Sequence, residues 1–134
     1  MNSPTNQGMS EDRLREPPAR RFDFASLVFD MHKELISLRN ETSPNAHGHR
    51  QKTLFKYSDR TIALFAFEPG AVLAEHSAKG TVTIEVIEGE LLVTVGDEEM
   101  ALRRGQLLVM APGTRHAVAA RVPAGFLLQV SLES

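Results

Sequence analysis

The sequence predicts an all-β protein, an antiparallel sandwich or closed barrel, preceded by a single amphipathic helix. Three observations support this prediction. Short apolar segments recur from residue 52 onwards, turns that contain glycine or proline separate them at even intervals, and a helical period occurs only before residue 43. Many short strands with little helix between them are typical of this class. A chain of 134 residues has the length of one domain.

Residues 1–20 are predicted to form a disordered tail, because they are polar, contain prolines and show no period. Basic residues in this segment alternate with acidic ones, and the whole chain carries a formal net charge of −2. A nucleic-acid-binding protein needs a strongly basic face. The composition therefore argues against nucleic acid as a partner.

Membrane insertion and export are not predicted either. No apolar stretch approaches the roughly 20 residues of a membrane span, and the first 20 residues lack the apolar core of a signal peptide. We therefore expect a cytoplasmic protein with no membrane partner. The chain has no cysteine, which excludes disulfides and thiol nucleophiles, so any metal would be held by nitrogen and oxygen ligands.

A helix is predicted over residues 21–42, with Asp23 as N-cap and Asn40 at its end. Its apolar residues recur at three- and four-residue steps: Phe24, Leu27, Val28, Met31, Leu35 and Leu38. Three further apolar residues widen the stripe: Phe22, Phe29 and Ile36. Such a stripe predicts packing, either against the barrel or across a dimer; docking onto another partner or a membrane is the alternative.

Residues 50–134 are predicted to form the barrel, after a loop over residues 41–50. Nine segments have the composition of strands: KTLFKY, RTIALFAF, AVLAEH, VTIEVIE, LLVTV, MALR, QLLVMA, HAVAAR and GFLLQVS. Pro69-Gly70 suits the centre of a type II turn, because proline presets φ and glycine tolerates a positive φ. Gly96-Asp97 is the signature of a two-residue hairpin.

Two segments of the barrel, PGAVLAEHSAKGTVTIEVIEGE and GQLLVMAPGTRHAV, resemble the two signature segments of the cupin superfamily. Cupins are small jelly-roll barrels, or double-stranded β-helices, and many bind a divalent metal. Three residues match the frame of the first segment: Gly70, His76 and Gly89. Four match the second: Gly105, Pro112, Gly113 and His116. The resemblance implies an RmlC-like jelly roll, and it also implies a homodimer.

The metal-ligand set that the resemblance implies is incomplete. Cupins place a second histidine and a glutamate where this chain has Ala78 and Val82. Only His76 and His116 remain, whereas a catalytic metal needs at least three protein ligands. We therefore predict no resident metal; a divalent transition metal, if bound, would use these two histidines. His47 and His49 form an H-x-H pair in the preceding loop, which is either surface chemistry or a source of extra ligands.

His76 and His116 have two interpretations, a ligand-binding pair or two structural core residues. Around them the predicted pocket is apolar, with side chains from alternate strand positions. Its predicted lining residues are Val82, Ile84, Val86, Val93, Met110 and Val118. Further apolar positions are expected nearby: Leu73, Leu91, Phe65 or Phe67, and Phe126. Such a pocket suits a small, partly apolar molecule, unless the side chains fill the interior completely.

Two main functions stand as hypotheses, beside a third in which the barrel is the ligand sensor of a larger regulatory assembly and the helix is its contact surface. The first is a non-catalytic or metal-independent homodimer that binds a small ligand; in its non-catalytic form the chain is not an enzyme. The second is a metal-dependent cupin enzyme, a dioxygenase or an isomerase, that uses His76 and His116 with non-standard additional ligands. Other catalytic templates are absent from the sequence, including the G-x-S-x-G elbow and the P-loop.

Overall fold

The computed structural model describes residues 25–42 and 48–132. Within them it contains one helix and nine strands. The helix is α1 (Met31–Arg39), and the strands are β1 (His49–Tyr57), β2 (Arg60–Phe67), β3 (Val72–His76), β4 (Thr81–Glu88), β5 (Glu90–Val95), β6 (Glu98–Arg103), β7 (Leu107–Met110), β8 (His116–Ala119) and β9 (Ala124–Ser131). The predicted disordered tail over residues 1–20, Asp23 and His47 lie outside the described residues.

The strands form two antiparallel sheets that face each other, which confirms the predicted jelly-roll barrel with one helix. The larger sheet has the order β1-β2-β9-β4-β7, and the smaller has the order β3-β8-β5-β6. Each of the nine predicted strand segments corresponds to one observed strand. Gly96 has a φ of 61° in the two-residue connection between β5 and β6, as the hairpin prediction requires.

The space between the two sheets is filled by hydrocarbon. The residues buried there are Ala63, Phe65, Phe67, Ala71, Val82, Ile84, Val86, Leu91, Val93, Leu102, Met110, Val118, Ala120, Ala124, Phe126 and Leu128. At one end of this core Phe65 stacks on Phe126 with centroids 4.9 Å apart, and Phe67 meets Phe126 edge to face at 5.0 Å. Both geometries are favourable for aromatic pairs, so this end of the barrel is closely packed.

Helix α1 lies on the outer face of the larger sheet and is held there by a second, smaller core. This core consists of Leu35, Leu38, Leu54, Leu64 and Ala66. Leu35 packs over Gly125, where an added Cβ would lie within 2.7 Å of both leucine methyl carbons. The helix therefore packs against the barrel, which was one of the alternatives left open by its apolar stripe.

The helix is shorter than predicted, because it begins at Met31 and not near residue 24. The side chain of Asp30 accepts a hydrogen bond from the backbone N–H of Lys33 at 3.1 Å, so Asp30 is the N-cap. Residues 25–30 are not helical, which leaves Val28 93% exposed. Ile36 is also exposed and does not widen the apolar stripe. Asn40 ends the helix as predicted.

The loop predicted over residues 41–50 is also shorter than expected, because β1 already begins at His49. His49, the first residue of β1, pairs with Phe67 of β2.

Within residues 25–42 and 48–132, no helix has the length and apolar character needed to cross a bilayer.

We predict that Leu35→Ala lowers the free energy of unfolding by about 2–5 kcal/mol, because it empties a fully buried site between the helix and the sheet. The measurement is equilibrium unfolding in urea. Ile36→Ala is the matched control on the same helix, and its exposed side chain should change stability by no more than about 0.5 kcal/mol. Equal effects of the two substitutions would show that the helix is not docked in this way.

Candidate functional site

His76 and His116 lie directly opposite each other on neighbouring strands of the smaller sheet. Leu73 of β3 pairs with Val118 of β8, and His76 then pairs with His116, with a register shift between the two pairs. The shift gives β3 one extra residue, so Leu73 and His76 both turn toward the barrel interior. The two imidazole rings lie 4.2 Å apart, at an angle of 60° between their planes.

Each imidazole is oriented by a hydrogen bond to the backbone two residues before it. His76 Nδ1 lies 2.9 Å from the carbonyl oxygen of Ala74, and His116 Nδ1 lies 3.2 Å from the carbonyl oxygen of Thr114. A carbonyl oxygen only accepts, so each Nδ1 donates and carries the hydrogen. The Nε2 atom of each neutral ring is therefore left as an acceptor.

The two histidines differ in their access to solvent. His76 is half-buried, whereas His116 is only 1% exposed. Within the described residues, His116 Nε2 is buried and has no hydrogen-bond partner. Burial lowers the pKa of His116, the hydrogen bond to Thr114 opposes this in part, and the nearby His76 lowers it further. The pair therefore combines a buried, neutral imidazole with one that is accessible from outside.

The structure places the predicted lining residues in the barrel interior. Val82, Ile84, Val86, Val93, Met110 and Val118 all belong to the main core and are at most 3% exposed. They are not equally near the histidines. Val82 pairs with Met110, and the turn after Met110 is joined to Ala78 by a hydrogen bond from Gly113 N–H at 2.8 Å. Val82, Met110 and Ala78 therefore lie at the end of the barrel that carries His76, which we call the histidine end. Val86 instead pairs with Phe126, at the end closed by Phe65, Phe67 and Phe126.

Two acidic side chains of these segments, Glu75 and Glu88, are engaged by arginines away from the histidines. Glu75 accepts a hydrogen bond from Arg115 at 3.0 Å on the exposed surface. Glu88 accepts one from Arg39 of the helix at 2.7 Å, on the outer face of the barrel. If side chains alternated regularly along β4 from Val82, Glu88 would point into the barrel. A register shift between Val86 and Glu88 turns its side chain outward instead.

His49 is placed by the structure at the opposite end of the barrel from the histidine pair. Its ring lies 5.3 Å from that of Phe67, and Glu68 donates its backbone N–H to the carbonyl oxygen of Gly48. At the same end Gly70 donates its backbone N–H to the carbonyl oxygen of Ala120, and Ala120 lies four residues, or roughly 13 Å of extended chain, from His116. His49 is half-buried and is not surface-loop chemistry, yet it does not meet His76.

Strand parity could have identified His49 as an inward residue, because His49, Gln51 and Thr53 pair in turn with the inward-facing Phe67, Phe65 and Ala63. The same end of the molecule has a surface cavity of about 260 Å³. It is lined by Arg39, Arg50, Ala66, Phe67, Glu68, Pro69 and Pro123. This cavity includes neither His76 nor His116.

The donor set at His76 and His116 does not fit a cupin-type metal centre. Among residues 25–42 and 48–132, no group of three or more histidine, cysteine, aspartate or glutamate side chains is placed to hold a metal ion. At the two remaining ligand positions of the cupin pattern the side chains are Ala78 and Val82, and both pack in the core. A metal held there would have two protein ligands, fewer than catalytic sites provide.

The cupin family model, described as a cupin domain, matches residues 63–128. This chain is a cupin-domain protein. The matched region contains both histidines of the pair and the register shift that brings them together. No curated protein matches the sequence.

Solved structures of other proteins have the same fold. A conserved protein of unknown function from Streptococcus pyogenes is 23% identical, with a TM-score of 0.67 over 89% of this chain and 97% of that one. The cupin domain of an XRE family transcriptional regulator from Enterobacter cloacae is 23% identical, with a TM-score of 0.59 over 65% and 99%. A sugar phosphate isomerase from Silicibacter pomeroyi is 22% identical, with a TM-score of 0.58 over 64% and 60%. At these identities the similarity shows the fold alone.

We predict that the stability of the protein falls as the pH decreases below about 6.5, the pKa of histidine in an unfolded chain. The folded-state pKa of His116 is lowered, so between the two values the unfolded chain binds more protons. The free energy of unfolding should then fall by up to about 1.4 kcal/mol per pH unit, measured by urea unfolding between about pH 8 and pH 5.

His116→Gln should flatten this dependence. The control is Val28→Gln, which replaces a side chain that is 93% exposed and does not titrate, and it should leave the slope unchanged. If the free energy of unfolding of His116→Gln still falls with decreasing pH at the same slope, another group takes up the proton.

Proposed function

We propose that this cupin-domain protein binds a small, partly apolar molecule at His76 and His116 without a metal and without catalysing a reaction. The observation that carries the proposal is the buried Nε2 of His116, which has no hydrogen-bond partner among the described residues. A buried acceptor without a partner is costly. A bound molecule that donates to it would remove that cost.

The apolar side chains at the two other ligand positions of the cupin pattern support the proposal that the site binds no metal. Val82 is 3% exposed, and Ala78 packs against the same core. A cation beside two methyl-bearing side chains would lose its hydration without gaining a ligand from them. The same side chains offer an apolar contact to an organic molecule.

One observation favours the alternative, a metal-dependent cupin enzyme of the dioxygenase or isomerase type. Both histidines donate Nδ1–H to a backbone carbonyl, and metal-ligating histidines are commonly oriented in this way. The similarity to a sugar phosphate isomerase agrees with this alternative in fold only. Substrate or solvent atoms would then have to supply the missing ligands.

We predict that restoring the missing donors creates metal binding that the natural chain lacks. The double variant Ala78→His/Val82→Glu should hold about one divalent transition metal and gain thermal stability when zinc or nickel is added, because four donors then converge. The untagged natural protein should do neither. The measurements are elemental analysis and thermal unfolding with and without metal.

The control adds His76→Ala to the double variant, which should lower the metal content again. A stoichiometric transition metal in the untagged natural protein that disappears on His76→Ala would overturn metal independence. This second comparison does not require the double variant to fold.

We further propose that the protein is a homodimer that associates through β7. This strand is an edge of the larger sheet, and two of its side chains, Leu107 and Val109, are 58% and 59% exposed on the outer face. Helix α1 packs on the β1–β2 side of the same face and leaves these residues uncovered. An edge strand with apolar side chains can pair with its own copy about a two-fold axis.

We predict that Leu107→Lys/Val109→Lys converts the dimer to a monomer, because the added charges would lie in the interface. The measurement is light scattering at micromolar concentration. Val72→Lys is the control, since Val72 is 52% exposed on β3, an edge of the other sheet, and it should leave the dimer intact. A monomeric natural protein would contradict the dimer, and a monomeric Val72→Lys variant would move the interface to β3.

A further inference from the structure

The hydrogen bonds of the histidine pair define which kind of chemical group it accepts. His76 donates Nδ1–H to Ala74 and His116 donates Nδ1–H to Thr114. Because each Nδ1–H is committed to a backbone carbonyl, a ring in its neutral form presents only the lone pair of Nε2. The ring centres lie 4.2 Å apart, so a group bound beside both rings would meet acceptors and no donor from the pair.

A carboxylate does not complement this arrangement. It also offers only acceptors, so it would need a protonated imidazole, and burial of His116 opposes protonation. Arg115 adjoins His116 in sequence, but its guanidinium is engaged with Glu75 on the exposed surface. An anion at the pair would therefore lack a compensating charge from these neighbours.

A cationic ligand is disfavoured as well. An ammonium group has the hydrogens that the pair requires, but it would enter a site next to Ala78 and Val82, which pack in the hydrocarbon core. Glu75, the carboxylate adjacent to His76 in sequence, is engaged with Arg115 on the exposed surface. Burying a charge without a counter-charge costs far more than burying a neutral donor.

Resting on the small-ligand function proposed above, we infer that the pair recognises a neutral group with two O–H or N–H hydrogens on one atom or on neighbouring atoms. A primary amide and a vicinal diol both fit this description. A single hydroxyl donates only one hydrogen and therefore satisfies only one of the two Nε2 atoms. The half-buried His76 gives the group access from solvent, and the buried His116 receives its second hydrogen.

The inference is tested with small probes in matched sizes, so that the volume of the site does not decide the result. Acetamide and 1,2-propanediol are compared with acetate, and benzamide and catechol with benzoate. The measurement is the change of the ring C–H signals of His76 and His116 in nuclear magnetic resonance spectra above neutral pH. We expect the amides and diols to shift both rings saturably, and each carboxylate to bind about tenfold more weakly or worse.

A second measurement reads the tautomers without any ligand. Long-range proton–nitrogen correlation spectra of the natural protein should show Nδ1 protonated and Nε2 unprotonated in both histidines. His116→Phe keeps a ring in the core but removes the buried acceptor, and it should abolish the difference between amide and carboxylate probes. His32→Phe, on the exposed face of the helix, is the control and should preserve it.

The outcomes separate this inference from the proposed function. If carboxylates shift both rings as strongly as the amides and diols, the pair binds a ligand but the inferred chemical class is wrong. Protonated Nε2 atoms in the nitrogen spectra would overturn the inference in the same way. If no probe of either class perturbs the rings, the inference and the small-ligand function fall together.

Discussion

Three residue steps separate Leu73 from His76 on β3, while β8 advances by only two from Val118 to His116. The extra residue keeps both Leu73 and His76 directed into the barrel, where plain alternation would have separated them. On the other side, β8 is held by β5, with Val95 opposite His116. Two imidazoles are thus brought together at the barrel interior, one half-buried and one fully buried, and the burial that lowers the pKa of His116 follows from this inward position.

The cupin framework persists in this chain although two of its metal-ligand positions are apolar. Turns and strand alternation build the barrel, and neither needs a metal. Gly89 shows the constraint most clearly. Its φ is 79°, and an added Cβ would collide with the carbonyl oxygen of Pro123. Val82 has in turn become part of the core that joins the two sheets. The fold is therefore compatible with either site chemistry, and the side chains at the histidine end decide between them.

The start of the helix, the start of β1 and the direction of Glu88 differ from what the local sequence suggests. In each case contacts with residues distant in sequence determine the structure. Asp23 and Asp30 both precede apolar residues at helical spacing, but only packing of Leu35 and Leu38 against the sheet shows which part of the segment is helix. His49 lies beside glycine and polar residues in sequence, yet its pairing with Phe67 extends β1 to it. Glu88 is turned outward by a register shift and pairs with Arg39 of the helix.

The sequence by itself determined the class of fold, the nine strands and the absence of a complete ligand set, because turn residues, alternation and side-chain chemistry are local properties. It also predicted that His76 and His116 lie beside an apolar interior. Only the tertiary structure decided that their rings lie side by side, that both Nε2 atoms are acceptors and that His49 lies at the other end. Those facts depend on the register between strands and on backbone carbonyls, which no residue identity encodes.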